Sequence, residues 1–191
     1  YGQDGDGNFT GTQFLGTFNG NNLGIKNIPI YDNTLATIGL FGCNNGKIEN
    51  LIISGSMFIK ELASPSNLYL GGITAYNCYS FIHADVTNSS DLSFHLGAIG
   101  GKNEGIIQNC YSDATLASIQ NADRNNIISG IVGENMATGL VNKCISKSSL
   151  QSTSTSPGNN ALNILFLGGI AALNHGGTIQ SCYNYGEIYG T

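Results

Sequence analysis

The side chains able to do chemistry are few: five cysteines, three histidines and twelve carboxylates in 191 residues. The cysteines, Cys43, Cys78, Cys110, Cys144 and Cys182, are odd in number, so at least one thiol is free or pairs outside the chain. They form no CxxC pair, and ligands arrayed along a line cannot close the tetrahedron that zinc demands, so no metal site is expected. His83, His95 and His175 make no HExxH motif and read as turn or surface residues. Glu49, Asp85, Glu104, Asp113, Glu134 and Glu187 lie near the apolar segments. Cleaving a glycan needs clustered carboxylates on one face, and only Asp85 and Asp113 are placed to approach each other, without a third partner. No catalytic residue is assigned, and a carbohydrate-active enzyme, a polysaccharide lyase or glycosidase, is the alternative reading. "DGDGN" at 4–8 imitates the start of a calcium loop, but its twelfth position would be Leu15 rather than Glu, so it reads as a Gly-rich turn. No cofactor motif is present.

Those residues must be held by something, and composition says by what. The chain is 41% hydrophobic and 10% charged, apolar enough to build a core. Its net charge of -5, with seven Lys and Arg in no cluster, argues against nucleic acid and anionic membrane surfaces. The longest apolar run, "ALNILFLGGIAAL" at 161–173, is broken by Asn163 and two glycines, so no membrane insertion is expected. Glycine, at 27 residues, has about twice its usual share, while Trp is absent. With abundant Asn, Ser and Thr and no sustained helical period, this is a chain of short strands and tight turns. It starts Tyr1-Gly2-Gln3, which reads as a segment of a longer protein with flanking domains.

The strands repeat. "LGGITAYN" at 70–77 and "LGGIAALN" at 167–174 differ at two of eight positions. Aligning further copies on Leu40, Ile73, Ile99, Ile131 and Ile170 places an Asn four residues after each anchor: Asn44, Asn77, Asn103, Asn135 and Asn174. The residue before the anchor is small in every copy: Gly39, Gly72, Ala98, Gly130 or Gly169. After the Asn, an apolar pair three residues apart follows: Ile48/Leu51, Phe81/Ala84, Ile107/Cys110, Val141/Cys144 and Ile179/Cys182. A partial copy in 1–34 contributes Ile25/Ile28. The spacings of 33, 26, 32 and 39 residues push the length differences into loops, 60–67, 121–126 and 146–160.

Copies of this size made of short strands predict one all-β domain over 1–191, a parallel β-solenoid, expected right-handed, of about six coils. Successive coils then stack like residues into ladders. The five Asn residues become a structural ladder, because a buried amide needs a partner and its own copy in the next coil supplies one. Cys110, Cys144 and Cys182 share a column and read as buried small side chains. Disulfides between neighbouring coils stay open, since the coil spacing lies within the allowed Cα range, although parallel strands orient the Cβ atoms poorly. Tyr111 and Tyr183 each follow a column Cys and should face outward. With Tyr79 they are the candidate binding residues.

"GLFG" at 39–42, followed by "NNGKIENL" at 44–51, resembles the GLUG motif (Gly-Leu-any-Gly), and "FTGTQFLGTFNGNNLGIKNI" at 9–28 is similar to the phrase that opens such arrays. Later copies depart to "GITA", "AIGG", "GIVG" and "GIAA". The motif belongs to secreted and cell-surface bacterial proteins, IgA-peptidase-like and filamentous-haemagglutinin-like adhesins among them. The resemblance implies a non-catalytic, secreted or surface-displayed module that presents loops to host glycoprotein or glycan, or a purely architectural spacer.

Overall fold

A computed structural model describes residues 14–31, 37–38, 47–60, 68–70, 75–88, 94–120, 125–155 and 164–191. Among these there are twenty-one strands and no helix, and so no helix long and apolar enough to cross a membrane. Most strands are short because Gly, Asn or Ser punctuates the chain every few residues, whereas Thr17–Tyr31, Lys47–Lys60 and Tyr79–Asn88 are longer. The strands form sheets of thirteen, five and three members, and every pairing is parallel. From 94 onward the chain visits the three sheets in fixed order. Phe94–Gly97 lies in the five-stranded sheet, Gly100–Asn103 in the three-stranded one, and Ile106–Gln108, Tyr111–Ser112 and Thr115–Gln120 in the largest. Two further passes repeat this order and pair in register with the pass before.

The register explains the small residue before each anchor. Ile99, Ile131 and Ile170 are aligned, since Val132 pairs with both Gly100 and Ala171. Opposite the preceding position runs a row of aligned polar residues: Ser80, Ser112, Ser146 and Asn184. Ser80 Oγ donates to the Ala98 carbonyl at 2.7 Å, and Ser112 Oγ to that of Gly130. A Cβ on Gly130 would sit 2.0 Å from Ser146 Oγ, and one on Gly169 would sit 2.3 Å from Asn184 Cγ. This polar seam divides the apolar interior. On one side pack Ala84, Val86, Leu96, Leu116, Ile128 and Leu150, and on the other Ile48, Leu51, Ile99, Ile107, Ile131 and Val141.

Of the five asparagines four after an anchor, Asn44 lies outside the described residues, as do the anchors Leu40 and Ile73 and Cys43. Asn103, Asn135 and Asn174 are aligned, and their amides join. Asn103 Nδ2 donates to Asn135 Oδ1 at 2.8 Å, and Asn135 Nδ2 to Asn174 Oδ1 at 2.9 Å. The following glycines make room for them: a Cβ on Gly139 would come within 2.3 Å of Asn135 Oδ1.

Asn77 does not join this ladder. Ala75 and Tyr76 pair with Ile107 and Gln108, which places Asn77 beside Asn109 at a different corner. "LGGITAYN" and "LGGIAALN" therefore end in different sheets despite their likeness. The column at Asn77 runs through Asn50, Asn77, Asn109, Lys143 and Ser181, all left-handed with φ between 51° and 54°. Asn tolerates this backbone through its short polar side chain, which is why three of the five are Asn. The apolar pair of that copy is accordingly Ala75/Cys78 rather than Phe81/Ala84.

Three further expectations change. Ile25 and Ile28 pair with Ile53 and Gly55, while Phe18 and Leu23 align with Ile48 and Leu51. Two register shifts in Thr17–Tyr31, with Asn21, Asn22 and Asn27 left-handed, absorb the extra residues. In the first copy the residue three before the anchor Leu40 is Thr37, which by spacing should match Leu70, but Ile38 takes that place, a one-residue slip. The Ser/Thr-rich 146–160 is largely strand as far as 154, with Ser149–Ser154 paired to Thr115–Gln120. Leu150 is buried, and Ser152 Oγ meets Ser118 Oγ at 2.9 Å, with Asn126 Nδ2 donating to Ser118 Oγ at 2.8 Å. The inward hydroxyls satisfy one another, so a run that reads as loop can lie in a sheet. Lys60 and Asn126 likewise belong to strands, and 61–67, 121–124 and 156–160 lie outside the described residues.

Two stability changes follow. Asn135→Ala strands the amides of Asn103 and Asn174 and should cost about 1–3 kcal/mol in urea unfolding; a loss under a few tenths would show the ladder to be idle. Lys143→Asn puts a residue suited to φ of 52° at an exposed corner and should gain about 0.5–1 kcal/mol. A destabilised variant would contradict the strain argument.

Candidate functional site

Alternation along a strand decides which side chains reach solvent. In Tyr79–Asn88, Ser80, Ala84 and Val86 are buried, so Tyr79, Phe81, His83 and Asp85 face outward. The next pass turns out Tyr111, Asp113 and Thr115, the next Ile145, Lys147 and Ser149, and the last Tyr183, Tyr185 and Glu187. Tyr79, Tyr111 and Tyr183 thus stand in one outward column, with Ile145 between the last two. The second column holds Phe81, Asp113, Lys147 and Tyr185.

These side chains form a continuous surface. The Tyr79 and Tyr111 ring centroids are 6.1 Å apart, Phe81 and Tyr111 6.0 Å, and Tyr183 and Tyr185 6.3 Å. Tyr111 also organises the charges: its hydroxyl donates to Asp113 Oδ2 at 3.2 Å, and Lys147 Nζ lies 6.0 Å from its ring centroid. Phe81, Tyr183, Tyr185 and Tyr189 are large exposed aromatics on this face, more than solvent alone favours. The spacing of Tyr79-x-Phe81 and Tyr183-x-Tyr185 could have announced the second column. What was missing was the register that lays Asp113 and Lys147 between them.

Asp85 and Asp113 are not brought together. Asp113 lies beside Phe81, four residues and about 13 Å along the strand from Asp85. His83 Nε2 is 3.0 Å from Asp85 Oδ2 instead.

Cys110, Cys144 and Cys182 are aligned, and Cys78 is a fourth member of their column. The signal for it was the tetrapeptide "NCYS", present at both 77–80 and 109–112. All four are free thiols. Each donates to the carbonyl two residues back, and each also lies near a carbonyl of the preceding pass, as Cys110 does at 3.5 Å from Ala75 O. The neighbouring thiols of Cys144 and Cys78, together with burial, hold the Cys110 thiol well above its ordinary range. Among the described residues no group of three or more His, Cys, Asp or Glu is close enough to share a metal ion.

A second polar cluster was not foreseen, because its members share no spacing. Glu134, nearly buried, has its Oε1 3.3 Å from His95 Nδ1 and 3.5 Å from His175 Nε2. Burial works to raise the Glu134 carboxyl, but the two histidines outweigh it and hold it below the usual carboxylate range.

No family model, curated protein or solved structure matches the chain.

The Glu134 cluster gives a pH signature. A carboxyl depressed in the folded state stabilises fully above its unfolded value, near 4.3, and stops doing so as pH falls through its folded value. Glu134→Gln should therefore destabilise the protein at pH 7, and the gap should close as pH falls below the usual carboxylate range and through the lowered folded value. Melting curves of both proteins across that range check it, and a constant gap would sink the linkage.

Proposed function

We propose that the three sheets are the walls of a parallel β-solenoid, expected right-handed, that serves as a non-catalytic adhesive module of a secreted or surface-displayed bacterial protein. Support for the solenoid is the fixed order in which 94–191 visits the sheets, each pass in register with the last. Support for the setting is the resemblance to GLUG arrays.

The observation that carries adhesion is the outward column of Tyr79, Tyr111 and Tyr183, flanked by Phe81 and Tyr185. Aromatic rings bury large area at little entropic cost, and their hydroxyls keep such a surface wettable when unoccupied. Asp113, Lys147 and Gln151 add hydrogen-bonding groups on the same side. Host glycoprotein or glycan is the ligand class such a mixed face suits. The inward ladders, by contrast, hold the rod together and are spoken for.

A glycan and glycoprotein array tests this with the intact chain beside a Tyr79→Ser/Tyr111→Ser/Tyr183→Ser variant of equal melting temperature. The expected result is a signal that falls at least about tenfold in the variant. Binding that survives would move the site off this face. Silence from both proteins would favour an architectural spacer.

A further inference from the structure

The outward face is complementary to itself. The sheet continues past Tyr79–Asn88 into Lys47–Lys60, and four of its rungs carry the pattern: Tyr79–Asn88, then Tyr111–Ser112 with Thr115–Gln120, then Ile145–Ser146 with Ser149–Ser154, then Tyr183–Asn184 with Ile188–Gly190. Consider a two-fold axis lying along the strands between the second and third rungs. It keeps every residue in its column and exchanges second rung with third and first with fourth. In the column Phe81, Asp113, Lys147, Tyr185, the exchange sets Asp113 against Lys147 and Phe81 against Tyr185, twice each. The neighbouring column sets Tyr79 against Tyr183 and Tyr111 against Ile145. One column further, His83 meets Glu187 and Thr115 meets Ser149. Opposite charges and apolar groups find their own kind of partner in these three columns; in the next, Asp85 faces Tyr189, whose hydroxyl can donate to a carboxylate, and Ala117 faces Gln151, so no like charges meet.

We infer that this face binds a second copy of the chain, through an isologous contact with Asp113 and Lys147 at its centre. The inference rests on reading the face as a contact surface and names an occupant for it. Isologous two-fold pairs are the commonest closed assembly, and they require this kind of self-complementarity. Within one chain, Asp113 is engaged by the Tyr111 hydroxyl and Lys147 lies over the Tyr111 ring, which leaves both charged groups exposed for a partner. Sheets stacked face to face stand about 10 Å apart, a gap that paired aromatic rings fill. Four rungs by nine residues cover on the order of 500 Å² per copy, the size of a weak, reversible interface. Such a contact suits modules displayed at high density, where many weak pairs add. Glycan and second copy would occupy the same face one at a time.

Charge exchange tests it. Asp113→Lys and Lys147→Asp each place like charges opposite each other at both central positions of the pair. Sedimentation velocity over a concentration series should show reversible dimers for the unaltered chain and at least about tenfold weaker association for either single variant. An equimolar mixture of the two single variants should associate again, because each then offers what the other lacks, and so should the double variant. Circular dichroism melts verify that all are folded. Restored association in the mixture cannot arise from an effect within one chain. A monomeric unaltered chain at the highest concentration, or a mixture no stronger than the singles, overturns the inference. Should array binding then persist and still depend on the tyrosines, only the second-copy occupant falls. If the array signal ignores the tyrosines as well, the reading of this face as a contact surface falls with it.

Discussion

Parallel strands in register impose one constraint from which most of this structure follows: each side chain lies about 4.8 Å from its counterpart in the neighbouring pass. A residue type must therefore be compatible with itself. Isoleucine, leucine and valine satisfy this by packing, and they fill both halves of the interior. A buried amide satisfies it because it is both donor and acceptor, so Asn135 gives to Asn174 and receives from Asn103. Hydroxyls and thiols do the same, which admits the pair Ser118 and Ser152 and the column of Cys78, Cys110, Cys144 and Cys182. A buried carboxylate cannot, since it only accepts. Glu134 is accordingly aligned with Lys102 and Leu173 rather than with an acid, and it draws its partners, His95 and His175, from elsewhere.

The same constraint decides what was legible in the sequence. Asn103, Asn135 and Asn174 were readable because each stands at a fixed distance from an aligned anchor, with no insertion between them. Cys110, Cys144 and Cys182 were readable for the same reason. Asn77 was misplaced, and Cys78 left out of its column, because a likeness of eight residues outweighed the shorter but correct match of "NCYS" at 77–80 with 109–112. Asn is wanted both at the ladder and at the left-handed corner, for different physical reasons, so residue type alone could not choose between them. The Ser/Thr run at 149–154 was hidden by a related ambiguity. Polar residues usually signal a loop, yet here the next pass supplies the partner that water would otherwise supply.

Outward positions escape the constraint, and the contrast within one strand is informative. The inward column through Ala84, Leu116, Leu150 and Ile188 stays apolar from pass to pass, whereas three residues earlier the outward column reads Phe81, Asp113, Lys147 and Tyr185. Solvent can satisfy any of these, so stacking places no demand on their chemistry. Variation between passes therefore separates the residues that hold the sheets together from those free to recognise something. That separation could not be drawn from the sequence until the register was known, because a slip of one residue exchanges the two sets.

Variation alone does not make a binding face; its arrangement has to be non-random. Two rings, an acid and a base can be ordered in several ways, and most orders set a charge opposite an aromatic ring when the column is reversed on itself. In the column that carries the charges, the run from Phe81 to Tyr185, which Ser54 precedes, reads ring, acid, base, ring. Reversal sets ring on ring and acid on base. The adjacent column is compatible with the same reversal, since Tyr79, Tyr111, Ile145 and Tyr183 are all apolar or amphipathic. The next runs from His83 to Glu187, again placing unlike groups at its two ends. Within one chain the acid and base, side by side on neighbouring strands, already favour each other, but nothing there calls for the rings at both ends of the run. A contact with another copy would give the order a further consequence, between chains, beside the pairing of Asp113 and Lys147 within one.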